Sequence, residues 1–157
     1  MKNKEEFENI IKDIKENKTV NLMKNYRQHF NTTCYEHCYN ASYYCFLIAK
    51  KLHWDYISVT RAAMLHDFFL YDWRKRENNR KGLHAFTHGN TACQNACELF
   101  DLSPKEQNII KRHMFPVTPI PPSSKEGLLL TLVDKYCGLI EIKSKFKNNK
   151  SNIEDKI

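Results

Sequence analysis

The apolar residues of this chain recur mostly every three or four positions, which is the spacing of helices that bury one face. Seven segments share this pattern, namely 4–17, 19–26, 34–52, 55–67, 88–100, 103–114 and 128–146. Strand-like alternation is scarce, and the whole chain contains only four glycines. The pattern therefore predicts an all-α fold, a single-domain helical bundle of six or seven helices.

Local signals place several ends of the predicted helices. Ser103, Pro104 and Glu106 have the order of an N-cap, a first-turn proline and the third residue of a capping box. Further N-cap candidates are residues 31–33, Thr19, Asp55, and Ser123 or Ser124. The segment 115–124 contains four prolines and must be a loop. The charged segment 74–87 is predicted to be an exposed loop.

The length of 157 residues predicts one domain that can bury a sizeable core. Within 1–157 we expect N-terminal helices over 4–29, a core of about 30–142 and a frayed tail over 147–157. Internal repeats are not seen in the sequence, so nothing indicates a second domain.

Charge and hydropathy narrow the class of function. The formal net charge is +7, which favours phosphorylated or polyanionic ligands. Nucleic acid is not the expected partner, because the basic residues are not interleaved with aromatic ones. The sequence lacks an apolar run of roughly 18 residues, and its first ten residues lack the apolar stretch of a signal peptide. We therefore expect a cytoplasmic protein without a membrane partner.

Six cysteines lie along the chain, at Cys34, Cys38, Cys45, Cys93, Cys97 and Cys137. In the cytoplasm they would be reduced thiols. Two pairs are four residues apart, which is a possible spacing for zinc ligands on a helix. Their neighbours are apolar, however, so the sequence favours buried packing and leaves a thiolate metal site as the alternative.

The segment AAMLHDFFLYDW (62–73) places His66 and Asp67 between two apolar flanks. Charged side chains are almost never fully buried unless they are paired or bind a metal. Asp134 interrupts an apolar helix in the same way, directly after the letters LLLTLV. Both positions indicate a neutralising partner, because a lone buried carboxylate is costly.

Five segments each contribute a candidate metal ligand. They are YEHCYN (His37), MLHDFF (His66 and Asp67), FTHGN (His88), IIKRHMF (His113) and TLVDKY (Asp134). The gaps between the segments are 21 to 29 residues, which is about one helix and one loop. Each candidate therefore lies on its own helix or at its end, and all could converge in the core. Imidazole and carboxylate ligands suit iron, manganese or zinc.

Each candidate also has an ordinary structural explanation. The alternatives are solvent exposure for His37 and His88, a helix-dipole interaction for His113, a hydrogen bond between His66 and Asp67, and an ion pair for Asp134. The ordered series makes each ligand interpretation stronger than it would be alone. His29 and His53 lie outside the series and are expected at the surface.

The ordered series His…His-Asp…Asp, over roughly residues 30 to 142, resembles the HD superfamily of metal-dependent phosphohydrolases. The additional His88 and His113 resemble its binuclear branch, which includes the HD-GYP cyclic-dinucleotide phosphodiesterases and a small bacterial dinucleoside-tetraphosphate hydrolase. The resemblance implies an all-α fold. It also implies hydrolysis of a phosphate ester or anhydride of a nucleotide or other small phosphorylated metabolite, through a hydroxide that the metal activates.

By position, the resemblance implies one or two divalent ions, iron, manganese or zinc. The ligands of the first ion would be His37, His66, Asp67 and Asp134. The second ion would be held by His88 and His113, with Asp67 bridging the two ions. Asp67 would then be a catalytic residue as well as a ligand.

The expected substrate-binding residues are Arg74, Arg76 and Lys135. His84, one helical turn before His88, is the candidate for catalytic proton transfer. Many family members have a lysine three residues after the aspartate of the pair, where this chain has Leu70, and the GYP extension is absent. The substrate therefore cannot be carried over from the family, and the oligomeric state stays open. The alternative function is a non-catalytic metal-containing sensor or interaction module with the HD fold.

Overall fold

The computed structural model describes residues 2–29, 31–75 and 82–154, and it describes side chains throughout except at His29 and 144–154. The α-helices in these ranges are α1 (Lys2–Ile10), α2 (Lys12–Glu16), α3 (Lys18–Asn21), α4 (Cys34–Lys51), α5 (Tyr56–Leu65), α6 (His84–Leu99), α7 (Pro104–Arg112) and α8 (Lys125–Glu154). A 3-10 helix (Leu22–Asn25) and a small antiparallel ribbon of β1 (Arg27–His29) and β2 (Thr32–Thr33) connect α3 to α4. The predicted all-α, single-domain helical bundle is confirmed.

The N-terminal region is more broken than its apolar spacing predicts. The helix predicted over 4–17 is divided at Ile11 into α1 and α2. Asn17 is extended, and its side-chain oxygen accepts hydrogen bonds from the backbone N–H groups of Thr19 (2.9 Å) and Val20 (3.2 Å). Asn17, rather than Thr19, is therefore the N-cap of α3, which agrees with the stronger capping preference of asparagine.

Helix α4 forms the centre of the bundle and packs against α5 and α8. Its buried face carries small side chains, among them Ala41, Ser42 and Ala49. The Ser42 hydroxyl donates a 2.7 Å hydrogen bond to the backbone carbonyl of Thr60 on α5. Such a contact requires close approach of the two helices, which small side chains allow.

The predicted capping box at the start of α7 is confirmed, since Ser103 Oγ accepts from Glu106 N and the Glu106 carboxylate accepts from Ser103 N. Thr33 and Glu36 make the same arrangement at the start of α4. Ser124 Oγ accepts from Gly127 N in the first turn of α8.

Two helices extend further than the sequence predicts. Helix α6 begins at His84, one turn before the predicted start at 88. Helix α8 continues to Glu154, beyond its predicted end at about 146. Within the described ranges, no helix combines the length and the apolar character that a membrane span requires.

All six cysteines are free thiols, and five of them are buried; Cys97 is exposed. Among the described residues, no group of possible metal ligands contains a cysteine. The five buried thiols therefore serve as small apolar side chains in the packing of the core.

Candidate metal centre

The His66–Asp67 pair follows directly after the last residue of α5, and both side chains are buried. Two contacts fix the backbone of this short segment. The Cys34 thiol donates to the carbonyl of Asp67 (3.0 Å), and Asn95 Nδ2 donates to the carbonyl of Phe68 (2.8 Å). These contacts tie the pair to α4 and α6. The buried apolar residues on both sides of the pair anchor it in the core.

The structure brings the six candidate ligands of the series together in two groups. The first group is His37, His66, Asp67 and Asp134, and the second is Asp67, His88 and His113. Within each group, one possible ligand atom per residue lies within 4.8 Å of every other. Asp67 belongs to both groups, so a buried histidine–aspartate cluster able to hold a metal ion lies where α4, α5, α6, α7 and α8 meet.

Three of the four histidines have their ring orientation set by a backbone carbonyl. Nδ1 of His66 lies 2.7 Å from Ala63 O, and Nδ1 of His113 lies 2.7 Å from Ile110 O. His88 makes the same contact with the carbonyl of the residue four positions before it, at 2.8 Å. Because a carbonyl oxygen can only accept, Nδ1 carries a hydrogen in each ring, and in the neutral form Nε2 presents its lone pair to the cluster.

His37 is oriented by a carboxylate instead. Its Nδ1 donates to Glu141, at 3.0 Å and 3.1 Å from the two carboxylate oxygens. Its Nε2 lies 2.9 Å from Asp134 Oδ1 and 4.0 Å from Asp67 Oδ2. This carboxylate–histidine arrangement is the usual outer support of a metal-bound imidazole.

His88 and His113 approach each other because α6 packs closely on the end of α7. A Cβ atom added at Gly89 would lie only 3.0 Å from the carbonyl oxygen of Lys111 and 3.2 Å from that of Ile110. The absence of a side chain at Gly89 therefore permits this packing. The Nε2 atoms of His88 and His113 are 2.9 Å apart, and they lie 3.2 Å and 3.6 Å from Asp67 Oδ1.

The electrostatics of the cluster keep the carboxyl groups of Asp67 and Asp134 ionised. Burial opposes ionisation of Asp67, but His66, His113 and His88 hold the pKa of its carboxyl well below the ordinary value. The pKa of the Asp134 carboxyl is likewise lowered against the effect of burial, mainly by His37 and His66. Two charged carboxylates therefore lie side by side in a water-poor environment.

The histidines divide into two kinds. Burial lowers the pKa of His37, but the carboxylates of Asp134 and Glu141 raise it well above its ordinary value. Burial is the main reason that the pKa of His113 is lowered, so this ring favours its neutral form, which can bind a metal. Burial also lowers the pKa of His88, but the Asp67 carboxylate raises it above its ordinary value, so within the second group only His113 favours neutral imidazole.

Two buried atoms of the cluster have no hydrogen-bond partner, His66 Nε2 and Asp67 Oδ1. His66 Nε2 lies 3.5 Å from Asp67 Oδ2 and 3.5 Å from Asp134 Oδ1 without a hydrogen bond to either. Buried polar atoms are rarely left without a partner. Lone pairs that converge from imidazole and carboxylate are the donors that a divalent transition metal prefers, so the residues fit such an ion.

A cavity of about 420 Å³ opens onto the cluster, and Asp67, His88, His113 and Asp134 form part of its wall. One side of the cavity is a stack of rings: Trp73 lies against His84 (5.5 Å between centroids, 16° between planes), and His84 against His88 (4.5 Å, 19°). The opposite side is apolar. Its residues are Met114, Gly138, Leu139 and Ile142. The cluster is therefore accessible to a small molecule, unlike a closed structural metal site.

The other residues expected at the site have different positions. His84 and Lys135 both line the cavity, and the Tyr71 hydroxyl lies 3.0 Å from His84 Nδ1. Arg74 is exposed and pairs with Asp72 at 3.0 Å, and it is not part of the described cavity wall. Arg76 lies outside the described residues.

Two residues of the site were missed by the sequence interpretation. Glu141 lies seven positions after Asp134, so both share one face of α8, and this spacing was the available signal. Gln28, on β1, donates from Nε2 to Asp67 Oδ2, while its Oε1 is buried without a partner. The sequence contains no local signal for Gln28, because the ribbon that positions it is only a few residues long.

The fold and the cluster define a class: an all-α helical bundle with a buried histidine–aspartate group that can hold a metal ion. Comparison of the chain with protein-family models, with curated proteins and with solved structures finds no match.

Proposed function

We propose that this protein is a metal-dependent phosphohydrolase of the HD type, acting on a phosphate ester or anhydride of a nucleotide or another small phosphorylated metabolite. The observation that carries the proposal is the pair of ligand groups that share Asp67 and border an open cavity. The resemblance of the ordered histidine–aspartate series to the HD superfamily supports it further.

The residues that would hold metal follow from the two groups. His37, His66, Asp67 and Asp134 would hold the first ion, and Asp67, His88 and His113 the second. Iron, manganese or zinc fits this donor set. When bound, such ions lower the pKa of water and stabilise negative charge on phosphoryl oxygens.

The chain itself supplies orientation, charge and exclusion of water. Lys135 contributes a positive charge to the cavity wall, where the phosphoryl group of a substrate would lie. His84 is held between the rings of Trp73 and His88, within reach of the Tyr71 hydroxyl. This position suits a group that donates a proton to the leaving oxygen. The apolar side of the cavity would receive the non-phosphoryl part of the substrate.

The experiment is a phosphoester and nucleotide panel assayed with added Mn²⁺, Fe²⁺ or Zn²⁺, together with metal analysis of the purified protein. We expect turnover in the native chain, loss of turnover in Asp67→Asn, and no loss in Asp101→Asn. Asp101 is an exposed aspartate that does not belong to either ligand group, so it controls for the change of residue type.

The same panel distinguishes the proposed phosphohydrolase from the alternative function. Metal bound tightly at the cluster without turnover of any phosphoester would favour the non-catalytic sensor or interaction module. Absence of bound metal in both the native chain and Asp67→Asn would contradict both functions.

A further inference from the structure

Between Leu128 and Ile140, helix α8 carries apolar residues on its outer as well as its inner positions, and its charged residues there, Asp134 and Lys135, are partly buried at the cavity. Its inner face carries buried residues such as Leu130, Val133 and Cys137. Between Leu128 and Ile140, every position that the structure leaves exposed is apolar as well. These outer positions are Leu128 (45% exposed), Leu132 (68%), Tyr136 (53%), Leu139 (58%) and Ile140 (41%). A row of exposed apolar side chains of this length marks a surface that another molecule covers.

The neighbouring helix α4 extends the same surface. Tyr44, Ile48 and Leu52 are each between 39% and 47% exposed and are spaced four residues apart, so they form a stripe along α4. The rings of Tyr44 and Tyr136 touch edge to face, with centroids 5.9 Å apart. The eight exposed side chains of α4 and α8 therefore form one continuous surface, which we call the α4–α8 face.

We propose that the α4–α8 face is the interface of a homodimer, in which a second copy of this chain covers it about a two-fold axis. Its eight large apolar residues are each between 39% and 68% exposed, so the face has an area comparable to the roughly 800 Å² that each partner buries in a standard-size interface. Monomeric proteins rarely expose an apolar surface of this size.

The charge of the chain favours a second copy that docks through this face. With a net charge of +7, two copies repel each other wherever basic surfaces meet. The eight side chains of the α4–α8 face carry no charge, and basic residues, among them exposed Lys51 and half-buried Lys135, lie at its edge. Two copies can therefore meet through the uncharged part of the face. Because one two-fold axis pairs the face with itself, the partner supplies a surface of the same apolar character.

The geometry of the two helices suits this arrangement. Glu141 in the middle of α8 contacts His37 near the start of α4, while Glu126 at the start of α8 contacts Asp55 just after α4. The two helices are therefore antiparallel. Two antiparallel pairs that stack on their apolar faces form a four-helix arrangement.

The interface also reaches the candidate site. Leu139 belongs both to the α4–α8 face and to the wall of the cavity over the histidine–aspartate cluster. The second copy would therefore lie at the edge of the cavity. The dimer itself does not depend on the proposed activity, and it is tested without an activity assay.

The test is sedimentation equilibrium of the full chain up to about 100 μM, well above the micromolar dissociation constants at the weak end of standard-size interfaces. We expect twice the mass of one chain for the native protein and the mass of one chain for Leu132→Glu. Ile57→Glu is the matched control, since Ile57 is 51% exposed on α5 outside the face, and we expect it to remain dimeric. A native protein that is monomeric throughout, or a dimeric Leu132→Glu, would overturn the proposal.

Two further measurements keep the result unambiguous. Tyr44→Glu places the charge on α4 instead of α8, and we expect it to give monomers even if Leu132→Glu fails to fold; a dimer here overturns the proposal. Flotation with phosphatidylglycerol vesicles tests a membrane as the occupant. If the native chain is monomeric and binds vesicles, and if Tyr44→Glu abolishes this binding, the face belongs to a membrane contact and the dimer is overturned.

Discussion

The Nε2 atoms of His88 and His113 lie 2.9 Å apart, although Nδ1 of each ring already donates to a backbone carbonyl. Two neutral rings in these tautomers oppose their lone pairs at this distance. Such a contact is favourable only when a proton or a metal cation lies between the lone pairs. Asp67 Oδ1, 3.2 Å and 3.6 Å from the two nitrogens, adds a negative charge that attracts the cation.

Replacement of His113 tests whether this contact marks a second ion. In His113→Ala the second group loses one of its three ligands, whereas the first group keeps all four. We expect the metal content to fall from two ions per chain to one, measured by elemental analysis of the purified protein. His53→Asn is the control, because His53 is exposed, lies outside both groups and has a positive φ that asparagine tolerates. Unchanged metal content in His113→Ala would contradict a second ion.

Glu141 is expected to support the first ion through His37. Glu141→Gln keeps the size of the side chain but removes the negative charge that accepts from His37 Nδ1. Loss of such an outer partner typically weakens metal binding by about tenfold or more. Titration with a competing chelator measures this change, and Glu98→Gln, an exposed position on α6, is expected to have no effect. Equal affinities in Glu141→Gln and the native chain would show that the contact is not a metal support.

Gln28 is expected to act on both ions, since it donates to the residue that the two ligand groups share. Gln28→Leu removes this donor with little change in volume and leaves Asp67 less restrained. We expect weaker binding of both ions, by about tenfold, in the same chelator titration. The exposed Gln94→Leu on α6 should bind metal as the native chain does. An effect confined to one ion would contradict the shared role of Asp67.

The capping box of α7 gives a stability prediction that is independent of metal. Ser103→Ala removes the hydroxyl that accepts from Glu106 N, and we expect a loss of about 1 kcal/mol in the free energy of unfolding. Urea denaturation measures the loss. Ser123→Ala should change the stability little, because Ser123 is exposed and its contact to Asn108 uses the backbone N–H. Equal losses in the two variants would mean that the cap contributes nothing specific.

The ion pair between Arg61 and Asp13 predicts a pH dependence. Arg61 joins α5 to α2 through two hydrogen bonds to the Asp13 carboxylate, at 2.7 Å and 2.9 Å. These hydrogen bonds lower the pKa of Asp13 below its usual value of 3.8. A lowered folded-state pKa means that the stabilisation is complete above the unfolded-state pKa and disappears as the pH falls through the folded-state value.

The matching experiment compares Asp13→Asn with the native chain by urea denaturation between about pH 6 and pH 3. At the higher pH, the native chain should have a larger free energy of unfolding than Asp13→Asn. This difference between the two proteins should shrink as the pH falls. Asp101→Asn should show no such convergence, because the structure gives that exposed residue no ion pair among the described side chains. A difference that stays constant with pH would contradict the role of the carboxylate charge.

Much of the fold was predictable because it depends on local patterns. The helical spacing of apolar residues identified α4, α5, α6, α7 and α8, and the order Ser103–Pro104–Glu106 identified the start of α7. The division of the first helix at Ile11 was not predictable from spacing, because Ile11 itself fits the apolar pattern of that helix. Where local preferences allow a helix either to continue or to end, packing against the rest of the fold decides between them.

The candidate site was predictable in part for the same reason. His66, Asp67 and Asp134 were conspicuous because each is ionisable within an apolar stretch, and this cost of burial is visible in the sequence. Gln28 was missed because it does not interrupt an apolar run, and Glu141 was missed although it stands between Ile140 and Ile142. Their importance arises only from the residues that they meet across the fold.

The sequence by itself determined the helices, several of their caps, and the set of histidines and aspartates that could hold a metal ion. Only the tertiary structure decided that these ligands form two groups sharing Asp67, that Glu141 and Gln28 support them, and that α4 and α8 leave an apolar face uncovered. The physical reason is that helix formation depends on residues close in the chain, and so does the apolar spacing that marks the face a helix will bury. The geometry of a site and the exposure of a surface depend on contacts between residues as far apart as His37 and Glu141, which no local pattern contains.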